Sequence, residues 1–272
     1  MPKVAVVIPA RNEEKYIGKT LLSLQKQTVK PVAIIVIDDG STDRTVNVVK
    51  EFKRTFRECF IHFISLNRSS GYGKGIVRNL NEGKKWLDDN LIHYDYLLVL
   101  DADQRLSHDY IKLCLDAFDP STAIVSGRTH GTKFNPIQPR GAHRVYAKWF
   151  IDKYPFPSLK GYDSHYFFQA LENNYKVKII RDAIAYEDRV QRLAYVDDLD
   201  RGIYSYKLGY SLPFILARSI KNMISFHRLK AILIIYGFLF SFITRKKRYS
   251  IYKQISLYQK LRIKRKMMEI LP

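Results

Sequence analysis

The stretch VAVVIPARNEEKYIGKTLLSLQKQTVKPVAIIVIDDG, residues 4–40, carries the alternation that decides the fold. Its two ends, VAVVIP (4–9) and AIIVI (33–37), are short unbroken apolar runs rich in β-branched residues, the pattern of strands covered on both faces of a parallel sheet. Between them Ile17, Leu21 and Leu24 fall on one face of a helix, with Asn12 expected as its cap. The same rhythm continues outward. Strands are expected at FIHFISL (60–66), YLLVL (96–100) and residues 123–125. Helical spacing recurs at Val46, Val49, Phe52 and Phe56 after Ser41-Thr42-Asp43, and again at Ile76, Leu80 and Trp86. Alternation of this kind implies a doubly wound α/β domain, a mostly parallel sheet flanked by helices, with ligands gathered at the carboxyl ends of the strands.

After Gly127 the rhythm breaks. Residues 128–161 hold Pro136, Pro139, Pro155 and Pro157 with Gly131, Gly141 and several aromatics, which reads as a mixed loop and short-helix region facing substrate. A helix at 164–173 follows, then a strand at 176–180 and a second at 183–186.

The 272 residues, 46% of them hydrophobic, suffice for a sizeable core and exclude global disorder. The formal charge is +20, from 46 Lys and Arg against 26 Asp and Glu. Its placement is uneven. Residues 1–200 hold 30 of the cations and 25 of the carboxylates, whereas 201–272 hold 16 cations and one acid, Glu269. Two cysteines, Cys59 and Cys114, argue against a disulfide framework and fit a reducing compartment. Residues 1–10 include Lys3 and run straight into an apolar strand, unlike a secretory leader.

Three acidic clusters stand where such a sheet presents ligands: Asp38-Asp39 after the second strand, Asp101 and Asp103 after YLLVL, and Asp163 before a helix. Two carboxylates spaced i, i+2 beyond a buried strand can turn toward one cation, and hard oxygen donors favour Mg²⁺ or Mn²⁺. The same residues can also serve as turns, and Asp38-Asp39-Gly40-Ser41 can cap the next helix.

Five pieces in this order resemble the inverting glycosyltransferases of family 2, which have the GT-A fold: VVIPARNEEKYI (6–17), VIDDGSTDRT (36–45), GKGIVRN (73–79), LDADQRLSHDYI (100–111) and GYDSHYFFQALENNYKV (161–177). The resemblance implies a nucleotide-diphospho-sugar donor, held by Pro9, Asn12, Glu13, Asp38 and Asp39 at its nucleoside. It implies Lys74 and Arg78 near the diphosphate, and Asp101 and Asp103 as ligands of Mg²⁺ or Mn²⁺, with Asp101 also on the nucleotide sugar. Asp163 resembles the general base. The family commonly has Glu-Asp there, where this chain has Tyr162-Asp163. Glu187 and Asp188, in AYEDR, are candidates for a partner or a replacement base. Gly71, Gly73 and Gly75 lack the GxGxxG spacing of a dinucleotide loop.

The tail has its own pattern. AILIIYGFLFSFI (231–243) is uncharged and flanked by basic residues, yet shorter than the about 20 residues that span a bilayer. Residues 212–226 are amphipathic, with Phe214, Ile215, Ile220, Met223, Ile224 and Phe226 interrupted by Arg218 and Lys221. Followed by Lys260, Arg262, Lys264, Arg265 and Lys266, these segments suit an anionic cytoplasmic leaflet. A dimerisation hairpin and a solvated basic tail are the alternatives. No recognition motif favours nucleic acid.

The expectation is therefore a catalytic domain over 1–208 and a basic, partly hydrophobic helical extension over 209–272 that associates with the inner face of a membrane. The leading function is transfer of a hexosyl or N-acetylhexosaminyl group to a glycan or lipid-linked acceptor, at a hydroxyl or a lipid phosphate. A sugar-phosphate nucleotidyltransferase and a non-enzymatic basic adaptor are the rivals. The first lacks a Gly-rich, cation-bearing loop directly after the first strand.

Overall fold

The computed structural model describes residues 2–56, 59–67, 74–132, 134, 135, 139, 141–159, 161–189, 195–224, 228–249, 252, 253, 255, 256, 258 and 259. The chain divides into two compact units, Met1–Val190 and Gln191–Pro272.

The first unit is built on one eight-stranded sheet in the order β3-β2-β1-β4-β7-β6-β8-β5. Its strands are β1 (Val4–Ala10), β2 (Ala33–Asp39), β3 (Phe60–Leu66), β4 (Tyr96–Leu100), β5 (Gln104–Leu106), β6 (Thr122–Thr129), β7 (His143–Ala147) and β8 (Lys176–Glu187). The β3-β2-β1-β4 half is parallel throughout. The other half mixes directions, with β7 antiparallel to both β4 and β6, β6 parallel to β8, and β5 antiparallel to β8. The result is the mixed α/β architecture, with a mostly parallel sheet flanked by helices, that the alternation of the sequence implies.

The period-two geometry of β1 explains its unbroken apolar sequence. Val4, Val6 and Ile8 enter a core shared with α1 (Ile17–Gln25), α2 (Thr45–Thr55) and α4 (Tyr110–Asp116), through residues such as Leu21, Leu24, Val49 and Ile111. Ala5 and Val7 enter the core on the opposite face, against Val77 and Leu80 of α3 (Lys74–Asp89), Phe150 of α5 (Lys148–Lys153) and Tyr166 of α6 (Tyr162–Glu172). Both faces are covered, so neither needs a polar residue.

Three local expectations are corrected. Asn12 does not cap α1, whose N-cap is Tyr16 with no side-chain hydrogen bond; Asn12 sits at φ 54 and bonds across to the loop after β2. Residues 128–161 contain a strand, β7, at the centre of the sheet. Its HRVYA sequence hid it, because Arg144 is fully buried there and carries a charge that a strand covered on both faces rarely holds. The two strands expected at 176–180 and 183–186 are one, β8, which keeps contact with β6 across register shifts. The second compact unit, Gln191–Pro272, includes α7 (Tyr195–Leu208), which packs on α9 (Arg228–Ile243).

Within the second unit α7 and α9 approach backbone to backbone. A Cβ on Gly202 would collide with the Ile234 carbonyl oxygen, and one on Gly237 with that of Leu199. Tyr206 packs edge-on against Phe238 at 5.7 Å between ring centres. The buried Asp198 accepts from Arg201 at 2.9 Å. The remaining helix, α8, is Leu212–Ile224. Among the described residues no helix is long and apolar enough to cross a membrane.

Candidate active site

The Asp101-Ala102-Asp103 turn joins β4 to β5 at the carboxyl end of the parallel half of the sheet. Backbone bonds fix it on both sides. The Asp101 N–H donates to Ala142 at 2.9 Å, the Gln104 N–H closes the turn on the Asp101 carbonyl at 3.1 Å, and the Asp188 N–H donates to the Asp103 carbonyl at 3.0 Å. The turn is thus an extension of two strand ladders, which holds both carboxylates in defined positions.

The loop after β1 is knitted to the loop after β2. Asn12 donates its N–H to Ser41 Oγ at 2.9 Å and accepts from the Thr42 N–H at 2.8 Å through Oδ1. The Glu13 N–H donates to Thr45 Oγ1 at 2.7 Å, and the Glu14 N–H to Asp43 Oδ2 at 3.1 Å. Asp38, buried at the end of β2, accepts the Ser41 N–H at 3.2 Å and the Ser41 hydroxyl. Asp38 therefore closes a turn on Ser41 that braces two loops beside the Asp101-Asp103 turn, but this turn does not cap α2 (Thr45–Thr55), whose N-cap Arg44 has no side-chain hydrogen bond. Pro9 lies in β1 opposite Ile37.

Electrostatics shows that the separate sequence pieces converge. Asp101 is pushed up to about 7, first by withdrawal from solvent and then by the negative charges of Asp103, Asp163, Glu13 and Glu187. Glu13 is also raised to about 7 by burial, against the opposing pull of Arg189. Carboxylates from the ends of β1, β4, β8 and from α6 thus crowd one place. Arg189 is the cation among them: its Nε donates to Asp103 Oδ2 at 2.8 Å, its Nη2 pairs with Glu13, and its guanidinium lies 5.2 Å from the Tyr16 ring centre.

Asp163 stands in the first turn of α6 and is about one-third exposed. The buried Arg144 reaches it from β7, with Nη1 donating to the Asp163 carbonyl and Nη2 3.7 Å from Oδ2. Nη2 also donates to Pro139 at 2.7 Å. Gly141 lies close by, where a Cβ would stand 3.0 Å from Asp163 Oδ2. Where the resemblance leads one to expect an acidic neighbour, this carboxylate has a guanidinium.

Other candidates fall outside this group. Asp188 is taken by Arg105 in a bidentate pair, with contacts of 2.7 to 2.9 Å, and of the AYEDR acids Glu187 is the one among the main influences on Asp101. Arg78 is exposed and donates to the Asn67 carbonyl at 3.0 Å. The side chain of Lys74 and all of Gly73 lie outside the described residues. Two residues that sequence reasoning missed, Arg144 and Arg189, turn out to hold the acids. The available signal was their charge: one stands in the short strand HRVYA, and the other directly follows an acidic pair.

The donor set suits a hard divalent cation. It is all oxygen, and Asp101, raised first by burial and then by the neighbouring negative charges, would be held in its charged form by an added positive charge. Among the described residues no group of three or more His, Cys, Asp or Glu is arranged to hold an ion.

The profile of the family described as "Glycosyl transferase family 2" matches residues 5–181. Among curated proteins, the chain is similar to a chondroitin synthase of Escherichia coli, 34% identical over 127 residues, which are 46% of this chain and 17% of that protein. It is also similar to a probable glycosyltransferase, YdaM, of Bacillus subtilis, 33% identical over 130 residues, 46% of this chain and 29% of that one. The matched stretch thus spans less than half the length of each. Among solved structures it shares its fold with the mannosyltransferase PcManGT of Pyrobaculum calidifontis, in complex with GDP-Man and Mn²⁺, at TM-score 0.62 and 15% identity, covering 96% of this chain and 81% of that one. It shares it also with TarS of S. aureus in complex with UDP-GlcNAc, at TM-score 0.55 and 18% identity, covering 77% and 67%. With its sheet, its acidic turn and its match over residues 5–181 in agreement, the chain belongs to glycosyl transferase family 2.

Proposed function

We propose that the protein transfers a hexosyl or N-acetylhexosaminyl group from a nucleotide-diphosphate sugar to a glycan or lipid-linked acceptor, with inversion, at the cytoplasmic face of a membrane. The observation that carries this reading is the convergence of Asp101, Asp103, Glu13 and Asp163 at the carboxyl end of the sheet. The donor-binding neighbours, one with GDP-Man and Mn²⁺ and one with UDP-GlcNAc, support the substrate class.

In this reading the braced loops of Asn12 and Asp38 receive the nucleoside, and Asp101 and Asp103 hold Mg²⁺ or Mn²⁺. Bound there, the ion supplies positive charge for the departing diphosphate. Asp163 accepts the proton of the acceptor hydroxyl on its carboxylate, which Arg144 positions from the buried strand. The acceptor oxygen bonds to the anomeric carbon from the face opposite the diphosphate, and the electron pair of the broken C–O bond leaves with the diphosphate. An ionised lipid phosphate needs no such base, so Asp163 separates the two acceptor chemistries.

The test is release of nucleoside diphosphate over a panel of UDP, GDP and dTDP sugars with Mn²⁺. Asp103→Asn is expected to lose on the order of 100-fold or more in turnover. Asp163→Asn is expected to lose about as much with a hydroxyl acceptor and little with a phosphate one. Release of pyrophosphate, no nucleotide binding by calorimetry, or unchanged rates in Asp103→Asn would each overturn the assignment.

A further inference from the structure

Helix α9 is apolar on both of its faces, but among the described residues only one is covered. Ala231, Ile234, Phe238 and Ser241 recur every three to four residues and are buried, on the side where Gly237 meets α7. On the opposite side Leu229, Ile232, Tyr236, Leu239, Phe240 and Ile243 form a continuous stripe, each between 36% and 75% exposed. A helix that is apolar all round is normally buried all round, and an unbroken apolar stripe rimmed by polar groups marks an interaction surface.

The rim is cationic. Arg228 and Lys230 lie in the first turn of α9, and Arg245, Lys246, Lys247 and Arg248 follow its last. The Lys246 ammonium stands 5.0 Å from the Phe240 ring centre, which brings positive charge to the edge of the stripe. At 16 residues α9 is about 24 Å long, too short to cross the hydrocarbon layer of about 30 Å, but suited to lying along its surface.

From this juxtaposition we infer that the Ile232-Tyr236-Leu239-Ile243 face of α9 docks in the plane of an anionic lipid surface, its apolar side chains entering the acyl boundary and its flanking Lys and Arg meeting the headgroups. Charge decides against a second copy. Residues 201–272 hold 16 cations and one acid, so an isologous pair would set +15 against +15, whereas anionic lipid complements it. The inference deepens the membrane-surface reading and rests on it for the place of the acceptor, but its test needs no turnover.

The 272-residue chain is floated with vesicles of phosphatidylcholine alone and of phosphatidylcholine with phosphatidylglycerol, alongside the double variant Ile232→Glu/Ile243→Glu and the control Leu91→Gln, whose exposed apolar residue belongs to the first unit. The parent and the control are expected to bind the anionic vesicles and leave the neutral ones. The double variant is expected to bind on the order of 10-fold more weakly or less, with an unchanged unfolding midpoint since both positions are exposed. Equal binding by the double variant, or no binding by the parent, overturns the inference. So does a parent dimer in sedimentation that the double variant splits without any vesicle binding. Diphosphate release, measured without vesicles, reports on the catalytic assignment separately.

Discussion

Arg189 and His165 show how single side chains set the electrostatics of the first unit. The Arg189 guanidinium is the cation between Glu13 and Asp103, two carboxylates that are mostly buried. Arg189→Ala leaves them facing each other, and is expected to lower stability by about 1 kcal/mol, read as a shift of the urea midpoint; the exposure of the guanidinium keeps the figure small. His165 is lowered from 6.5 to about 4 by burial on α6, where its Nδ1 has no hydrogen-bond partner. The unfolded chain therefore binds this proton first as pH falls. The contribution is fully present above pH 6.5 and is lost as pH drops toward 4, amounting to about 3 kcal/mol. His165→Gln should flatten the fall in melting temperature over that range, while an unchanged pH profile would show that His165 does not titrate as described. Arg189 and Arg144 also mark a limit of sequence reading. Asp101, Asp103 and Asp163 stand out by position in a motif, but nothing in the order of residues says that Arg189 or Arg144 lies against them.

At the scale of elements, two close backbone approaches carry the packing. Gly127 lies in β6, where a Cβ would collide with the Ala183 carbonyl oxygen and stand 2.5 Å from a Tyr110 ring carbon. Tyr110 itself donates to His143 and accepts from the Gly127 N–H at 2.8 Å, so it ties α4 to β6 and β7. Gly127→Ala is expected to cost about 2 to 3 kcal/mol, measured by chemical denaturation, because the obstacle is backbone and cannot rotate away. In the second unit, Gly237→Leu should force α9 from α7 and lower helical content by circular dichroism, whereas Phe242→Leu, at an exposed position, should not. Strands β1, β2, β3 and β4 were legible because full burial writes a continuous apolar run. Strand β7 was not, since the bonds that satisfy its Arg144 go to Pro139 and to Asp163 of α6, partners that its own sequence does not reveal.

At the scale of the whole molecule, the charge of +20 gathers beyond residue 200. Vesicle attachment through α9 is therefore expected to weaken steeply between about 0.1 M salt, where the screening length is about 10 Å, and about 1 M, where it is about 3 Å. The measurement is flotation across a salt series with the anionic vesicles. Binding that ignores salt would assign the attachment to apolar burial alone. Residues Lys260, Arg262, Lys264, Arg265 and Lys266, expected to add to the basic surface, lie outside the described residues.

The sequence by itself determined the α/β class, the order of the acidic motifs and the uneven placement of charge, because hydrophobic period, turn chemistry and charge are local properties that chain order preserves. Only the tertiary structure decided which acids share one place, that Arg189 and Arg144 hold them, that Asp188 is taken by Arg105, and that α9 leaves one apolar face open. Each of these is a contact or an exposure between residues far apart in the chain, and such pairings exist only once the sheet order and the helix crossings have brought them together.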